Sequence, residues 1–198
     1  MNSYLRDTAN TCMEILRSLP MVKSCALYGS IANNTEDELS DIDIQVDVFG
    51  YDNGKFMLEV PYLINKKLNI VYYDFAPSLI PNIYIVSNAI SVDNPFALVD
   101  IMCVADPHCT TVLKDHAVND IFTHTLKIWV INLKHHVRGY ECHDAISRMA
   151  KRLGIKDTYS KSKKELLEEA LIWIEENQSD KFGYYVNSCR KKFEELLI

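Results

Sequence analysis

From Asp41 to Phe49 the chain reads DIDIQVDVF, and this alternation constrains the backbone more than any other stretch. Successive side chains of an extended strand point to opposite faces, so Ile42, Ile44, Val46 and Val48 fall on one side and Asp41, Asp43, Gln45 and Asp47 on the other. The segment is expected to be a half-buried strand with one acidic face.

What precedes it is equally ordered. Val22 to Tyr28 reads as a short strand, and Gly29-Ser30 follows at its end. Glycine lets the backbone turn sharply and approach a ligand closely, and the Ser30 hydroxyl is placed near the start of a short helix, so the turn has the makings of a phosphate cradle. Asp41 and Asp43 then come from one face of the next strand, with Cα atoms about 7 Å apart. Two carboxylates at that spacing can reach the same metal pair. Magnesium takes hard oxygen ligands, and such a pair together with substrate phosphates suits it.

The rest of the chain divides into an α/β half and a helical half. Apolar positions at helical spacing run from Leu5 to Leu19, where Pro20 ends them. Phe56 to Lys66 reads as a helix or a mixed segment. Leu68 to Phe75, Ile83 to Ile90 and Phe96 to Ala105 read as further strands, the last two joined as a hairpin by Asp93-Asn94-Pro95. After Pro107 the pattern turns to helices over Ala117 to Arg138, His143 to Leu153, Lys163 to Asn177 and Tyr184 to Leu197, with Gly139, Gly154 and Gly183 as breaks. The expected fold class is α+β: a mixed sheet with helices over residues 1–110, then a helical bundle over 111–198.

Composition narrows the function classes. With 198 residues, 48% of them hydrophobic, the chain can bury a sizeable core. The six cysteines form no CxxC pair and the histidines show no ligand spacing, which argues against zinc. No apolar run approaches the roughly 20 residues of a membrane helix, so a cytoplasmic protein without a membrane partner is expected. Residues 1–110 hold 6 Lys+Arg against 14 Asp+Glu, a balance of −8, whereas residues 111–198 hold 15 against 13, a balance of +2. The acidic half carries the Gly-Ser and the paired aspartates, and an acidic surface repels a polyanion; nucleic acid is therefore an unfavourable partner.

GSIANNTEDELSDIDI resembles the signature of the nucleotidyltransferases of the DNA polymerase beta superfamily, in which Gly-Ser is followed by Asp-x-Asp or Asp-x-Glu. The matching residues are Gly29, Ser30, Ala32, Ser40, Asp41 and Asp43. Where the family often has a second glycine this chain has Asn34, which tolerates the left-handed conformation better than most residues. The resemblance implies an NTP substrate, ATP foremost, with Gly29, Ser30 and Ser40 on the nucleotide side, and two Mg2+ ions held by Asp41, Asp43 and a third carboxylate. It also implies transfer of a nucleoside monophosphate to a hydroxyl.

Two acids compete for the third place. Asp74 follows NIVYY and also reads as a turn residue before Pro77. Asp100 stands alone in FALVDIMCVA, where a carboxylate costs several kcal/mol unless a partner or metal stabilises it. The reading favours Asp100. Asn69, being neutral, could not serve as a base.

The helical half adds weaker signals. Lys127 and Lys134 lie in HTLKIWVINLKHH, and Lys127 is the candidate for the outer phosphates, although a helix lysine also serves simply to face water. RGYECH has the Arg-x4-His spacing of helical nuclease toxins, but Gly139 interrupts it. In size and in its helical C-terminal half the chain resembles the enzymes that adenylylate aminoglycosides and lincosamides, and the acidic balance likewise suits a small, hydroxylated, cationic acceptor. The competing expectation is a catalytically silent, nucleotide-binding or antitoxin-like module.

Overall fold

The structure, a computed structural model, describes residues 3–76, 83–104 and 117–197. The expected boundary near residue 110, the end of the last strand at Ala105 and Cys109 lie outside the described residues. By its internal contacts the chain forms two compact units, one of residues 1–91 with 97–119 and one of residues 92–96 with 120–198.

The first unit is a mixed sheet with helices. Its strands among the described residues are β1 (Ser24–Tyr28), β2 (Ile42–Asp47), β3 (Tyr72–Ala76), β4 (Ile83–Ala89) and β5 (Leu98–Val104), in the spatial order β1-β2-β5-β4-β3. β2 and β5 run parallel and the remaining neighbours antiparallel. The alternation in β2 does what its pattern requires. Ile42, Ile44 and Val46 are fully buried, and with Val86, Val99 and Ile101 they form a layer against α1 (Ser3–Arg17) and α3 (Asn53–Ile64). α1 contributes Leu5, Ala9, Cys12 and Leu16, spaced for one helical face. A four-residue helix, α2 (Gly29–Ala32), follows β1 directly.

Element boundaries depart from the apolar pattern where side chains intercept the backbone. β3 begins at Tyr72 rather than Leu68, since Ile70 N–H donates to the Asn65 side chain instead of a neighbouring strand. α3 is a full helix because Asp52 caps it by accepting from Lys55 N–H, and its Pro61 does not end it. The expected hairpin is present as β4 and β5, with Asn94 Oδ1 accepting from Phe96 N–H in the turn.

The second unit is helical: α4 (Ile121–Val137), α5 (His143–Arg152), α6 (Lys163–Asn177) and α7 (Gly183–Leu197). α4 starts at Ile121, not Ala117, because the Asp120 carboxylate accepts from both Phe122 and Thr123 N–H. Its core contains Leu126, Trp129, Leu133, Leu167, Ile174 and Tyr185. The indole of Trp129 donates to Leu167 O at 2.8 Å, and a Ser162/Glu165 capping box opens α6. Among the described residues no helix is long and apolar enough to cross a membrane.

Candidate functional site

The register of the sheet gathers the polar face of β2 into a line. Asp43 pairs with Tyr28 on β1 and with Asp100 on β5, Asp100 pairs with Ser87 on β4, and Ser87 pairs with Asp74 on β3. Directly opposed residues of a sheet share a face, so this row runs across all five strands on the side opposite the α1/α3 layer.

Three carboxylates converge around its second and third members. Asp41, Asp43 and Asp100, all half-buried, each present an oxygen within 4.8 Å of the other two, a donor set that could hold a metal ion. Asp74 is on the same row but fully buried, and β4 stands between it and Asp100, a distance of about 10 Å across two strand spacings. The cluster found among the described residues contains Asp100 and not Asp74.

Such a grouping is costly without a counter-charge. Two unit charges at this spacing repel by about 3 kcal/mol at an effective dielectric of about 20. Tyr28 registers the same field: burial pushes its phenol up, and the charges of Asp43, Asp100 and Asp41 push it further. The hard oxygen donors and their mutual repulsion fit a divalent cation of the magnesium type.

Gly29 abuts this cluster. Its φ is +68°, in the left-handed region, and a Cβ built there would land on Asp43 Oδ2 and lie 3.1 Å from Asp43 Cγ. Only glycine lets the turn come so close to the carboxylate. Next to it, Ser30 Oγ is buried and has no hydrogen-bond partner among the described residues. Asn34 has φ +57°, so the asparagine adopts the left-handed conformation at the position where the family often places glycine.

The other expected site residues are placed differently. Ser40 is buried, and its hydroxyl accepts from Asp37 N–H at 2.9 Å and donates to Asp37 Oδ1 at 2.8 Å, closing the turn that leads into Asp41. Lys127 is a buried residue of α4 in the helical unit. His143, from the Arg-x4-His stretch, opens α5 and contacts Lys161 O through its ring.

Sequence reasoning passes over Tyr28 and Ser87. Tyr28 is the last residue of β1, directly before the Gly29 turn. Ser87, buried with an Oγ that lacks a hydrogen-bond partner among the described residues, has no local signal, and only the register sets it beside Asp100.

The glycine turn thus packs against the clustered carboxylates on one face of the sheet. The family described as "Polymerase beta, Nucleotidyltransferase" matches residues 10–119, more than half of the chain. The chain therefore belongs to the polymerase beta nucleotidyltransferase family, and residues 10–119 carry its transferase domain. No curated protein and no solved structure matches the chain.

Proposed function

We propose that the protein moves a nucleoside monophosphate from an NTP, ATP foremost, to a hydroxyl of a small, hydroxylated, cationic acceptor and releases pyrophosphate. The approach of Asp41, Asp43 and Asp100 to within 4.8 Å beside the Gly29 turn carries this reading.

In it, residues 1–110 act as the catalytic domain and 111–198 as a helical domain. Asp41, Asp43 and Asp100 would hold two Mg2+ ions, which supply charge neutralisation at the triphosphate and favour ionisation of the acceptor hydroxyl. The Gly29 backbone and the Ser30 hydroxyl would bind the triphosphate, with Ser40 supporting them through the Asp37 turn. Lys127 is proposed for the outer phosphates on its charge alone. Asp100 would take the proton of the acceptor hydroxyl as its oxygen bonds to the α-phosphorus and the bond from that phosphorus to pyrophosphate breaks.

The acceptor class follows from charge. A balance of −8 over residues 1–110, with acids lining one sheet face, draws a cation and repels a nucleic-acid end. The five described cysteines are free thiols, in keeping with a cytoplasmic setting.

The test is an acceptor screen with labelled NTPs and Mg2+, read by pyrophosphate release. Labelling of an amino-sugar or similar small molecule is expected. Salt-sensitive labelling of RNA or DNA alone would overturn the acceptor class, and NTP binding with no pyrophosphate would identify a silent module instead.

A further inference from the structure

Between Asn33 and Ser40 the chain must connect two halves of the site without letting either drift. On one side is the Gly29-Ser30 turn, on the other Asp41 and Asp43, and the two already meet where Gly29 has no room for a Cβ beside Asp43. A displacement of one half against the other by a fraction of an ångström would spoil that fit. Yet the connecting residues Asn33, Asn34, Thr35, Asp37 and Glu38 are exposed, as loop residues usually are.

Local bonds hold this loop near both ends. Near its start, Thr35 N–H donates to Ser30 O at 2.9 Å and Asn33 N–H to Gly29 O at 3.2 Å. Near its finish, the Asp37/Ser40 turn closes on itself. Asn34 and Glu36 are also held from elsewhere in the fold. Arg6 of α1 donates from Nε to Glu36 Oε1 at 2.6 Å and from Nη2 to Glu36 Oε2 at 2.8 Å, and the same Nη2 donates to Asn34 Oδ1 at 2.9 Å.

One guanidinium thus grips two loop residues, one of them at the left-handed position. The Glu36 side chain is only 4% exposed, unlike its loop neighbours. The Arg6 bond, before any other cause, holds the Glu36 carboxyl below the usual carboxylate range. Arg6 itself is carried on a fixed frame, because its neighbour Leu5 and Ala9 one turn on are fully buried in the core. A planar fork is needed for this geometry; a lysine ammonium keeps the charge but cannot make the paired bonds to the carboxylate and reach Asn34 as well.

We propose that Arg6 is a positioning residue for the nucleotide site: through Glu36 and Asn34 it sets the loop that fixes the Gly29-Ser30 turn against Asp41 and Asp43 before substrate arrives. The inference rests on the transferase reading above, and its test separates the two. Pre-setting a loop removes an ordering cost from binding, so its loss appears in affinity more than in stability.

The experiment compares the full chain with Arg6→Lys, and with Glu36→Gln as a second variant. Three quantities are read: hydrogen exchange at the Thr35 amide, the Kd for the magnesium complex of a non-hydrolysable ATP analogue, and Tm. In Arg6→Lys, Thr35 exchange should quicken by about tenfold or more, and Kd should weaken by about tenfold, with Tm within about 4 °C of wild type. Glu36→Gln should move the first two in the same direction and by less. Unchanged Thr35 exchange, or faster exchange with unchanged Kd, would overturn the positioning role. A wild type that binds the analogue but transfers to no acceptor would overturn the transferase reading and leave the role of Arg6 in place. A wild type that does not bind the analogue would overturn both.

Discussion

In the helical unit, three side chains close onto nearby backbone: Thr125 donates to Ile121 O at 2.8 Å, Trp129 to Leu167 O at 2.8 Å and Ser147 to Thr158 O at 3.4 Å. In the sheet unit one row of polar side chains is lined up across strands, from Tyr28 through Asp43 and Asp100 to Ser87 and Asp74, and three acids, Asp41, Asp43 and Asp100, are brought within 4.8 Å of one another. The first arrangement lowers the energy of the fold, because each of these three donors finds an acceptor already in place. The second raises it through like-charge repulsion, which a bound cation would offset.

The largest effect expected is from the acids that meet at the turn. Asp41→Asn or Asp43→Asn should reduce pyrophosphate release by roughly 10⁴-fold or more, since under the proposed function each removes a carboxylate ligand from the reacting centre. Folding should be preserved, as both side chains leave the apolar face of β2 untouched; circular dichroism with the same transfer assay checks both points. Wild-type rates in either variant would erase the contrast between the units.

Asp100 and Asp74 sharpen the comparison within the row itself. Asp100→Asn should lower turnover by about 10³-fold, the range of a lost general base, while Asp74→Asn should stay within about threefold in kcat. A reversed ranking in single-turnover kinetics would move the third carboxylate to Asp74. The smallest effect belongs to the helices: Ser162→Ala removes the cap of α6 and should cost about 1 kcal/mol in denaturant unfolding, with kcat and KM unchanged.

Much of the sheet unit is legible in the amino-acid sequence because its signals are local. The DIDIQVDVF alternation can be satisfied only by a half-buried strand, and Gly29 and Asn34 stand where the backbone takes positive φ. Relations between distant segments are not legible in the same way. That β5 lies parallel to β2, with Asp100 beside Asp43, depends on a long connection whose register no local pattern specifies. Arg6 and Glu36 lie 30 residues apart, and an arginine on the polar side of a helix looks the same with or without a partner. Helix starts escape the apolar pattern for a related reason. Apolar spacing extends α4 back to Ala117, but Asp120 caps it, and Asn119 is held by its side chain to Phe75 N–H and O at 2.7 Å each.

The central claim is that Asp41, Asp43 and Asp100 form one metal-binding centre that serves a nucleotide. Mn2+ binding followed by electron paramagnetic resonance, with a non-hydrolysable ATP analogue present, tests it without needing the acceptor. Wild type should take up Mn2+ more tightly than the analogue does alone, and Asp43→Asn should weaken that protein-dependent binding by about 100-fold, whereas Asp74→Asn should leave it unchanged. Equal Mn2+ binding by wild type and Asp43→Asn would contradict the account.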